Sequence, residues 1–144
     1  MMLKQPGSRM CFVCGRENPI GFHAEFYVDG EKVYLDIVPQ EQHQGYPGVM
    51  HGGLVSTLLD ETVGRSAFLT NMWCVTAKME LRYRKPVPIG RPLRVVGWTT
   101  RVRGRILEAR GEVQLEDGSV AVEANAVYVE IPEDRRREVE SLVY

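Results

Sequence analysis

The most regular pattern in the chain is a ten-residue alternation of apolar and polar side chains. The apolar positions are Val75, Ala77, Met79, Leu81 and Tyr83, and the polar positions are Thr76, Lys78, Glu80, Arg82 and Arg84. Successive side chains of a strand point to opposite faces of the sheet. A period of two therefore predicts an antiparallel strand with one buried face and one solvated face.

Two further strands are predicted in the N-terminal part of the chain. Residues 22–38 form two extended runs on either side of Asp29 and Gly30, a dipeptide that favours a tight hairpin turn. Residues 1–20 carry glycine and proline at irregular spacing, which is typical of a loop that packs against other elements. We expect them to form an irregular N-terminal arm.

Three consecutive hairpin-connected strands are predicted in the C-terminal half. They are residues 93–103, 106–115 and 120–131. Turn residues separate them, with Gly104 in the first connection and Asp117 and Gly118 in the second. The charged tail, residues 133–144, follows Pro132, and we expect it to form a terminal helix.

Residues 54–69 are the only long helical candidate. Apolar residues cover most of its circumference: Leu54, Val55, Leu58, Leu59, Val63, Ala67, Phe68 and Leu69. Such a helix is buried. One narrow face differs, because Gly53, Thr57, Asp60 and Gly64 follow one another at spacings of four, three and four residues. We expect another part of the protein to approach this face closely.

These elements predict a single α+β domain over residues 1–144. Two strands, one enclosed helix and four strands in meander order give a curved antiparallel sheet of about six strands wrapped around one long central helix. An open sheet leaves unpaired edges, and proteins of this size commonly cover one edge by pairing with a second copy. We therefore expect at least a homodimer.

The composition is that of an ordinary globular domain, with 44% hydrophobic and 26% charged residues. Eighteen Lys and Arg against nineteen Asp and Glu give a formal net charge of −1, which is too balanced for a nucleic-acid-binding protein. The sequence shows neither a leader-like start nor an apolar run of eighteen residues, and its three cysteines are an odd number. We expect a cytoplasmic protein without nucleic-acid or membrane partners.

Cys11 and Cys14 form a CxxC motif followed by Gly15. The motif alone is compatible with half a zinc site, a redox pair or a tight turn of small residues. The candidates for the second half of a zinc site are Cys74, His23 and His43, none of which belongs to a second CxxC or an HxxxH. We expect a buried structural turn, with no metal and no cofactor.

The chemistry-bearing segment is residues 43–53, HQGYPGVMHGG, which leads directly into the helix. At a helix start the first backbone N–H groups have no intrahelical acceptor and lie at the positive end of the helix dipole, so Gly52 and Gly53 suit a negatively charged oxygen. A carboxylate on an apolar helix is costly to bury unless it is paired or faces a cleft. Asp60 is therefore a candidate general base.

Each of these residues also has a structural explanation. Asp60 could be a capping or ion-pairing carboxylate, His51 a satisfied histidine at a helix entrance, and the glycines a sharp turn. Their combination favours a reaction site, because His51 precedes Asp60 by nine residues and the hydroxyl residue Thr76 follows sixteen residues later.

With these motifs, the sequence resembles the hotdog-fold acyl-CoA thioesterases of the PaaI-like branch in the 4-hydroxybenzoyl-CoA thioesterase superfamily. The resemblance covers most of the chain. Its motifs are CFVCGRENPIG at 11–21, HQGYPGVMHGG at 43–53, LLDE at 58–61 and RYRKPVP at 82–88. The loop together with LLDE is the specific part, because many folds share such strands.

The resemblance implies a hotdog fold and hydrolysis of an acyl-CoA thioester to free acid and CoA. It implies that Asp60 is the nucleophile or general base and that the Gly52 N–H donates to the thioester carbonyl. His51 would orient this corner, and Thr76 would hold the attacking water or the carboxylate. The implied active site lies at the interface of a homodimer, which can pair into a dimer of dimers, so Asp60 and Thr76 could come from different subunits.

Further residues are implied to bind substrate. They are Gly53, Gly45, Gln44 and Thr57 near the helix start and Arg82, Arg84 and Lys85 for the CoA phosphates, with Arg101, Arg103 and Arg105 as second candidates. Some relatives carry an amide side chain about six residues before the histidine, where this chain has Gly45. Gln44 and Gln42 are the possible substitutes for that amide.

Two alternative functions use the same residues. A hotdog dehydratase or hydratase also acts on acyl thioesters, and a non-catalytic acyl-CoA-binding or regulatory module would retain the pocket. The HGG loop and the position of Asp60 favour hydrolysis over hydration. The joint presence of Asp60, Gly52 and Thr76 favours catalysis over binding alone.

Overall fold

A computed structural model describes residues 2–141 and 143. Seven strands form one antiparallel sheet in this part of the chain, and two α-helices accompany it. The strands are β1 (Leu3–Lys4), β2 (Tyr27–Asp29), β3 (Lys32–Ile37), β4 (Cys74–Tyr83), β5 (Leu93–Arg103), β6 (Ile106–Leu115) and β7 (Val120–Glu130). The helices are α1 (Gly52–Gly64) and α2 (Glu133–Glu140).

The three predicted hairpins are confirmed. β2 pairs with β3 across the Asp29 and Gly30 turn, and β5, β6 and β7 pair in succession. Gly30, Gly104 and Gly118 all have positive φ, which is why these turns carry glycine. The expected terminal helix is present as α2, directly after Pro132, but it ends at Glu140 and not at 144. Leu142 and Tyr144 of the expected tail lie outside the described residues.

The predicted meander order of the last four strands is wrong. The sheet order is β1-β2-β3-β5-β6-β7-β4, so β4 pairs with β7 at one edge and β5 pairs with β3 in the interior. The connection from β4 to β5, residues 84–92, is too long for a tight hairpin and contains three prolines. This connection returns the chain across the sheet instead of turning β5 back on β4.

The N-terminal segment is more regular than expected. Leu3 and Lys4 form a short strand that pairs with β2, which makes seven strands instead of about six. The extended run before β2 is not part of the sheet ladder. It packs on the arm, where Phe22 and Ala24 donate backbone N–H groups to the carbonyls of Phe12 and Val13, at 3.0 and 2.8 Å.

Helix α1 is the buried element predicted by the sequence. It begins two residues before the predicted start and continues as a 3₁₀ segment, Arg65–Thr70, which ends at Asn71 with a left-handed φ of 57°. Its buried residues are Val55, Leu58, Leu59, Thr62 and Val63. The concave face of the sheet packs on these side chains and forms the hydrophobic core with them.

A pair of glycines in the sheet sets the distance between α1 and the strands. Gly97 in β5 lies opposite Gly111 in β6. A Cβ atom at Gly97 would lie 2.7 Å from the Val63 Cα and 2.9 Å from the Thr62 carbonyl oxygen, and one at Gly111 would lie 2.3 Å from the Val63 Cγ2. The helix therefore rests directly on the backbone of two neighbouring strands.

Strand β4 is more exposed than its alternation predicted. Its register with β7 shifts between Thr76 and Lys78, so the apolar and polar positions do not keep to separate faces. The side chains of Val75 and Tyr83 remain 56% and 51% exposed, because β4 lies at the sheet edge. The expectation of one fully buried face is wrong for this strand.

Within the described residues, neither helix has the length and the apolar character needed to span a lipid bilayer.

We predict that Gly97→Ala lowers the free energy of unfolding by about 1–3 kcal/mol, because the added methyl meets the backbone of α1 and cannot be relieved by a rotamer change. Gly52→Ala is the matched control, since its added methyl would meet the Tyr83 ring at an ordinary 3.6 Å. Chemical denaturation of both variants measures the difference. Equal unfolding free energies for the two variants would contradict the close approach.

Candidate active site

The start of helix α1 has one backbone donor left over. His51 is the N-cap, and its Nδ1 accepts the Gly53 N–H at 2.9 Å. Leu54 and Val55 donate their N–H groups to the His51 carbonyl at 3.0 and 3.1 Å. Of the first four N–H groups of α1, only that of Gly52 has no acceptor among the described residues.

Gly52 lines a cleft of about 580 Å³ between the loop before α1 and the end of β4. The apolar wall consists of Val49, Met50, Val55, Pro86 and Val87, and Gly45, Tyr46, His51, Tyr83, Arg84 and Lys85 complete the lining. The hydroxyl of Tyr83 donates to the Gly52 carbonyl at 2.7 Å, which holds the end of β4 against the helix start. The cleft is thus mainly apolar, with charge at one side.

Hydrogen bonds within the loop hold its shape. The Gln44 Oε1 accepts the Gly48 N–H at 3.0 Å, so this amide serves the turn, and Gln44 does not line the cleft. His51 donates its backbone N–H to the His43 carbonyl at 2.9 Å. A Cβ at Gly45 would lie 3.3 Å from the His51 Cα, so glycine at this position lets the loop pack against the cap.

The Asp60 carboxylate is half-buried and is held by two hydroxyl groups. Its Oδ1 accepts from the Thr76 Oγ1 at 2.7 Å and from the Tyr128 hydroxyl at 3.1 Å, and the same hydroxyl lies 3.0 Å from the Asp60 backbone carbonyl. Within the described part of the chain Asp60 forms no ion pair, and Oδ2 accepts no hydrogen bond. Asp60 lies in the middle of α1, which excludes the capping role, and its partners exclude the ion-pairing role.

Thr76 reaches Asp60 within a single chain, so the suggestion that these two residues come from different subunits is wrong. Thr76 is on β4, which crosses α1 beside Asp60 because the sheet wraps the helix. The contact joins residues that the sequence separates by sixteen positions.

Tyr128 is the functional candidate that the sequence analysis missed. It is 2% exposed, and its ring fills the space beside Gly64, where a Cβ would meet the ring at 3.0 Å. Burial, followed by the negative charge of Asp60, raises the pKa of the phenol, so Tyr128 remains a proton donor to the carboxylate. Gly64 was the one sequence signal that pointed to Tyr128, because a glycine on this face of the helix indicates a close neighbour. The sequence of β7 does not show which of its residues fills that place.

The two parts of the candidate site are well separated along α1. Gly52 and Asp60 are eight residues apart. At 1.5 Å per residue this places their backbones about 12 Å apart along the helix axis. Asp60 does not line the cleft that contains Gly52.

Other predicted binding residues are divided between the cleft and the rest of the surface. Thr57 donates its hydroxyl to the Gly53 carbonyl at 2.9 Å and does not line the cleft. Arg84 and Lys85 line it, and Arg84 is also paired with Glu123 at 2.9 Å. Arg82 is exposed and outside the cleft.

The three arginines named as second candidates for the CoA phosphates lie away from the cleft: Arg101, Arg103 and Arg105. Arg101 lines a groove on the outer face of the sheet, and Arg105 donates to the Glu130 carbonyl at 2.9 Å. Arg103 is exposed near the β5–β6 turn. The fold therefore brings only Arg84 and Lys85, of the predicted basic residues, to the cleft.

A second polar cluster lies on another side of α1. The Cys11 thiol donates to the Glu61 Oε1 at 3.1 Å, and Cys14 is 3.8 Å from the same oxygen. Burial raises the pKa of Glu61 to about 7, although the nearby Arg65 guanidinium opposes this shift. The hydrogen bond between the thiols lowers the pKa of Cys14 to about 6 and raises that of Cys11 to about 12.

Comparison with known families identifies the chain. The sequence profile of the thioesterase superfamily matches residues 47–122, which is more than half of the 144 residues and includes α1 and Asp60. The chain belongs to the thioesterase superfamily. The family resemblance stated from the sequence motifs is thereby confirmed.

Relatives of this thioesterase superfamily member include the rat acyl-coenzyme A thioesterase THEM4, which is 33% identical over 96 residues, 65% of this chain and 41% of that protein. The chain thus spans about two fifths of the length of this curated relative. The crystal structure of another protein, described as a thioesterase superfamily protein, aligns with 85% of this chain and 61% of that protein's chain. The TM-score is 0.80 and the sequence identity is 28%.

The Escherichia coli PaaI protein shares the fold, with a TM-score of 0.68 and 12% identity over 72% of this chain and 75% of its own. The hotdog fold expected from the resemblance is therefore confirmed for this thioesterase superfamily member.

We predict that Tyr128→Phe lowers the free energy of unfolding by about 1 kcal/mol, because the buried Tyr128 hydroxyl no longer donates to Asp60. Tyr46→Phe is the control, since Tyr46 is 85% exposed and its hydroxyl donates to no described residue. Denaturant titration of both variants measures the effect. A loss no greater in Tyr128→Phe than in Tyr46→Phe would show that the contact with Asp60 contributes nothing.

Proposed function

We propose that the protein hydrolyses acyl-CoA thioesters to a free carboxylic acid and CoA. The observation that carries this proposal is the Asp60 carboxylate, which is held by two hydroxyl groups and keeps one oxygen free. Membership of the thioesterase superfamily supports the reaction class, and the name of the rat relative supports acyl-CoA as the substrate class.

Asp60 acts as the nucleophile or as the general base for water. Thr76 and Tyr128 both donate to Oδ1, so they orient the carboxylate and leave Oδ2 to attack the thioester carbon or to accept a proton from water. Neither partner is a cation, so Asp60 is held by neutral hydrogen-bond donors and not by an ion pair. Tyr128 and Thr76 are positioning residues in this proposal.

The Gly52 N–H stabilises the oxyanion that forms on the thioester carbonyl. It is unpartnered at the positive end of α1, whereas the His51 ring occupies the next N–H, that of Gly53. Removing a single donor of this kind typically costs about a hundredfold or more in rate. His51 thus selects which backbone donor is available for the substrate.

The cleft beside Gly52 accommodates part of the substrate. Its volume of about 580 Å³ and its apolar wall suit a small-molecule ligand. Lys85 lies at its charged side and forms no ion pair within the described residues, whereas Arg84 is already bound to Glu123. We assign the contact with the CoA phosphates to Lys85 first and to Arg84 second.

The site is shared between two copies of the chain. An oxyanion donor and an attacking oxygen must both lie within about 3 Å of one thioester group. The separation of about 12 Å along α1 prevents Gly52 and Asp60 of one chain from doing so. The Gly52 of one protomer would therefore act with the Asp60 and Thr76 of its partner in a homodimer.

Strand β4 supplies the edge for this assembly. It lies at the end of the sheet, carries Thr76, and exposes the apolar side chains of Val75 and Tyr83. An unpaired edge with exposed apolar residues is stabilised by pairing with a second copy. Two such dimers could then assemble as the dimer of dimers expected from the resemblance.

We predict that Asp60→Asn lowers kcat by about a thousandfold or more, because the amide can still accept from Thr76 and Tyr128 but cannot act as a nucleophile or base. Thr76→Ala should cost much less, since it removes only one of two donors to Oδ1. Release of free CoA from a panel of acyl-CoA esters, followed with a thiol-reactive dye, measures both. Near-wild-type turnover in Asp60→Asn would refute the mechanism.

The same assay separates the alternative functions. A hydratase or dehydratase acts on acyl-CoA without releasing CoA, and a binding module retains acyl-CoA without turnover. If the wild-type protein converts acyl-CoA without releasing CoA, it is a hydratase or dehydratase. If it binds acyl-CoA without any turnover, it is a binding module.

We predict that Gly52→Pro and Asp60→Asn are each inactive alone but regain activity when refolded together. Proline suits this position, because Gly52 is the first residue of α1 and His51 before it has φ −59° and ψ 129°. Random pairing into dimers gives roughly a quarter of the wild-type number of intact sites if each site is shared.

The control is a mixture of Asp60→Asn with Thr76→Ala, whose changes lie on the same side of the site. Its activity should equal the average of the two separate variants, with no increase when mixed dimers form. Native mass spectrometry confirms that mixed dimers form. Mixed dimers without recovered activity would show that the site is not shared.

A further inference from the structure

A cluster of metal-ligating groups lies outside the candidate active site. It joins the N-terminal arm to helix α1 through Cys11, Cys14 and Glu61, whose sulfur and oxygen atoms all lie within 4.8 Å of one another. Histidine and cysteine residues supply no second half for the CxxC motif, whereas the Glu61 carboxylate of α1 supplies a third ligand. We propose that Cys11, Cys14 and Glu61 bind a zinc-type divalent cation.

The distances between the three groups fit a tetrahedral ion. With Zn–S bonds of about 2.3 Å and Zn–O bonds of about 2.0–2.2 Å, sulfur and oxygen ligands are separated by about 3.5 Å. The Glu61 Oε1 lies 3.1 Å from the Cys11 sulfur and 3.8 Å from the Cys14 sulfur, on either side of that value. The two sulfur-to-oxygen distances thus bracket the separation that a tetrahedral ion requires.

The turn that carries the cysteines holds both sulfurs on one side. The Cys14 N–H points at the Cys11 sulfur at 3.4 Å, and the Gly15 N–H donates to the Cys11 carbonyl at 2.8 Å. A Cβ at Gly15 would lie 2.5 Å from that carbonyl oxygen, so the turn requires glycine after the second cysteine. The Cys14 N–H would support the thiolate that forms at Cys11 when a bound metal displaces its proton.

The charges around the cluster balance when a divalent cation is present. Two thiolates and one carboxylate carry three negative charges, and the ion neutralises two of them. The Arg65 guanidinium, 3.7 Å from Glu61 and 5% exposed, supplies the remaining positive charge. Arg65 is fixed in place by the Pro6 carbonyl at 2.7 Å and by the face of the Phe26 ring at 4.2 Å. Binding of the ion displaces the thiol protons to solvent.

The fourth position of the ion faces a cavity of about 330 Å³. Phe68, Trp73 and Cys74 line this cavity together with the cluster. Cys74 is not one of the three clustered groups, so it provides a natural control. Three protein ligands and one position open to a cavity leave room for a water molecule or another small ligand.

Zinc titration of the reduced, chelator-treated protein tests this assignment. We expect one zinc per chain by elemental analysis after dialysis, and protection of two of the three cysteines from a thiol reagent. Cobalt in place of zinc should give the strong visible absorption of a tetrahedral ion and a sulfur-to-cobalt band in the near ultraviolet. Zinc should also raise the thermal unfolding midpoint.

Single substitutions assign the ligands. Cys14→Ser and Cys11→Ser should each lose stoichiometric zinc, and Cys74→Ser should keep it. Glu61→Gln should retain the sulfur-to-cobalt band but bind zinc about tenfold or more weakly. Circular dichroism verifies that each variant is folded, and the cobalt spectrum of the wild-type protein decides the question if a cysteine variant fails to fold.

Three outcomes would overturn the proposal. They are zinc uptake that is unchanged in both cysteine variants, no uptake by the reduced wild-type protein, and a cobalt spectrum without a sulfur band. A Cys11–Cys14 disulfide in protein isolated without reductant, combined with no zinc uptake after reduction, would assign the pair to redox chemistry instead. None of these measurements depends on thioester hydrolysis.

Discussion

The direct packing of helix α1 on the strand backbones at Gly97 and Gly111 is the constraint on which the rest of the structure depends. Because the strands carry no side chain at these two positions, the sheet can curve around α1 and bring β4 and β7 against its polar face. Thr76 and Tyr128 then reach Asp60. A wider spacing between the layers would leave this half-buried carboxylate without its two hydroxyl donors.

Helix α1 carries two adjacent carboxylates that have different kinds of partner. Successive residues of a helix differ by about 100° in direction, so Asp60 and Glu61 face different parts of the protein. Neutral hydroxyl groups hold Asp60, whereas Glu61 lies between the thiols of the arm and the Arg65 guanidinium. One apolar helix thus supports a candidate catalytic group and a candidate metal ligand.

Local sequence determined the elements and the donors at the helix start. The hairpins around Gly30, Gly104 and Gly118 follow from turn residues with positive φ, and α1 follows from its apolar periodicity. His51 and Gly52 could be singled out because a helix always begins with N–H groups that lack intrahelical acceptors. These features depend on contacts within a few residues, so a single sequence is enough to predict them.

Tertiary structure alone decided which distant residues meet. The position of β4 beside β7, the contact of Tyr128 with Asp60, and the contact of Cys11 with Glu61 all join residues far apart in the chain. An alternating strand pattern indicates that a side chain faces inward, but it does not specify its neighbour. Those partners are set by strand order and by the distance of the helix from the sheet, which are properties of the whole packed core and not of any one segment.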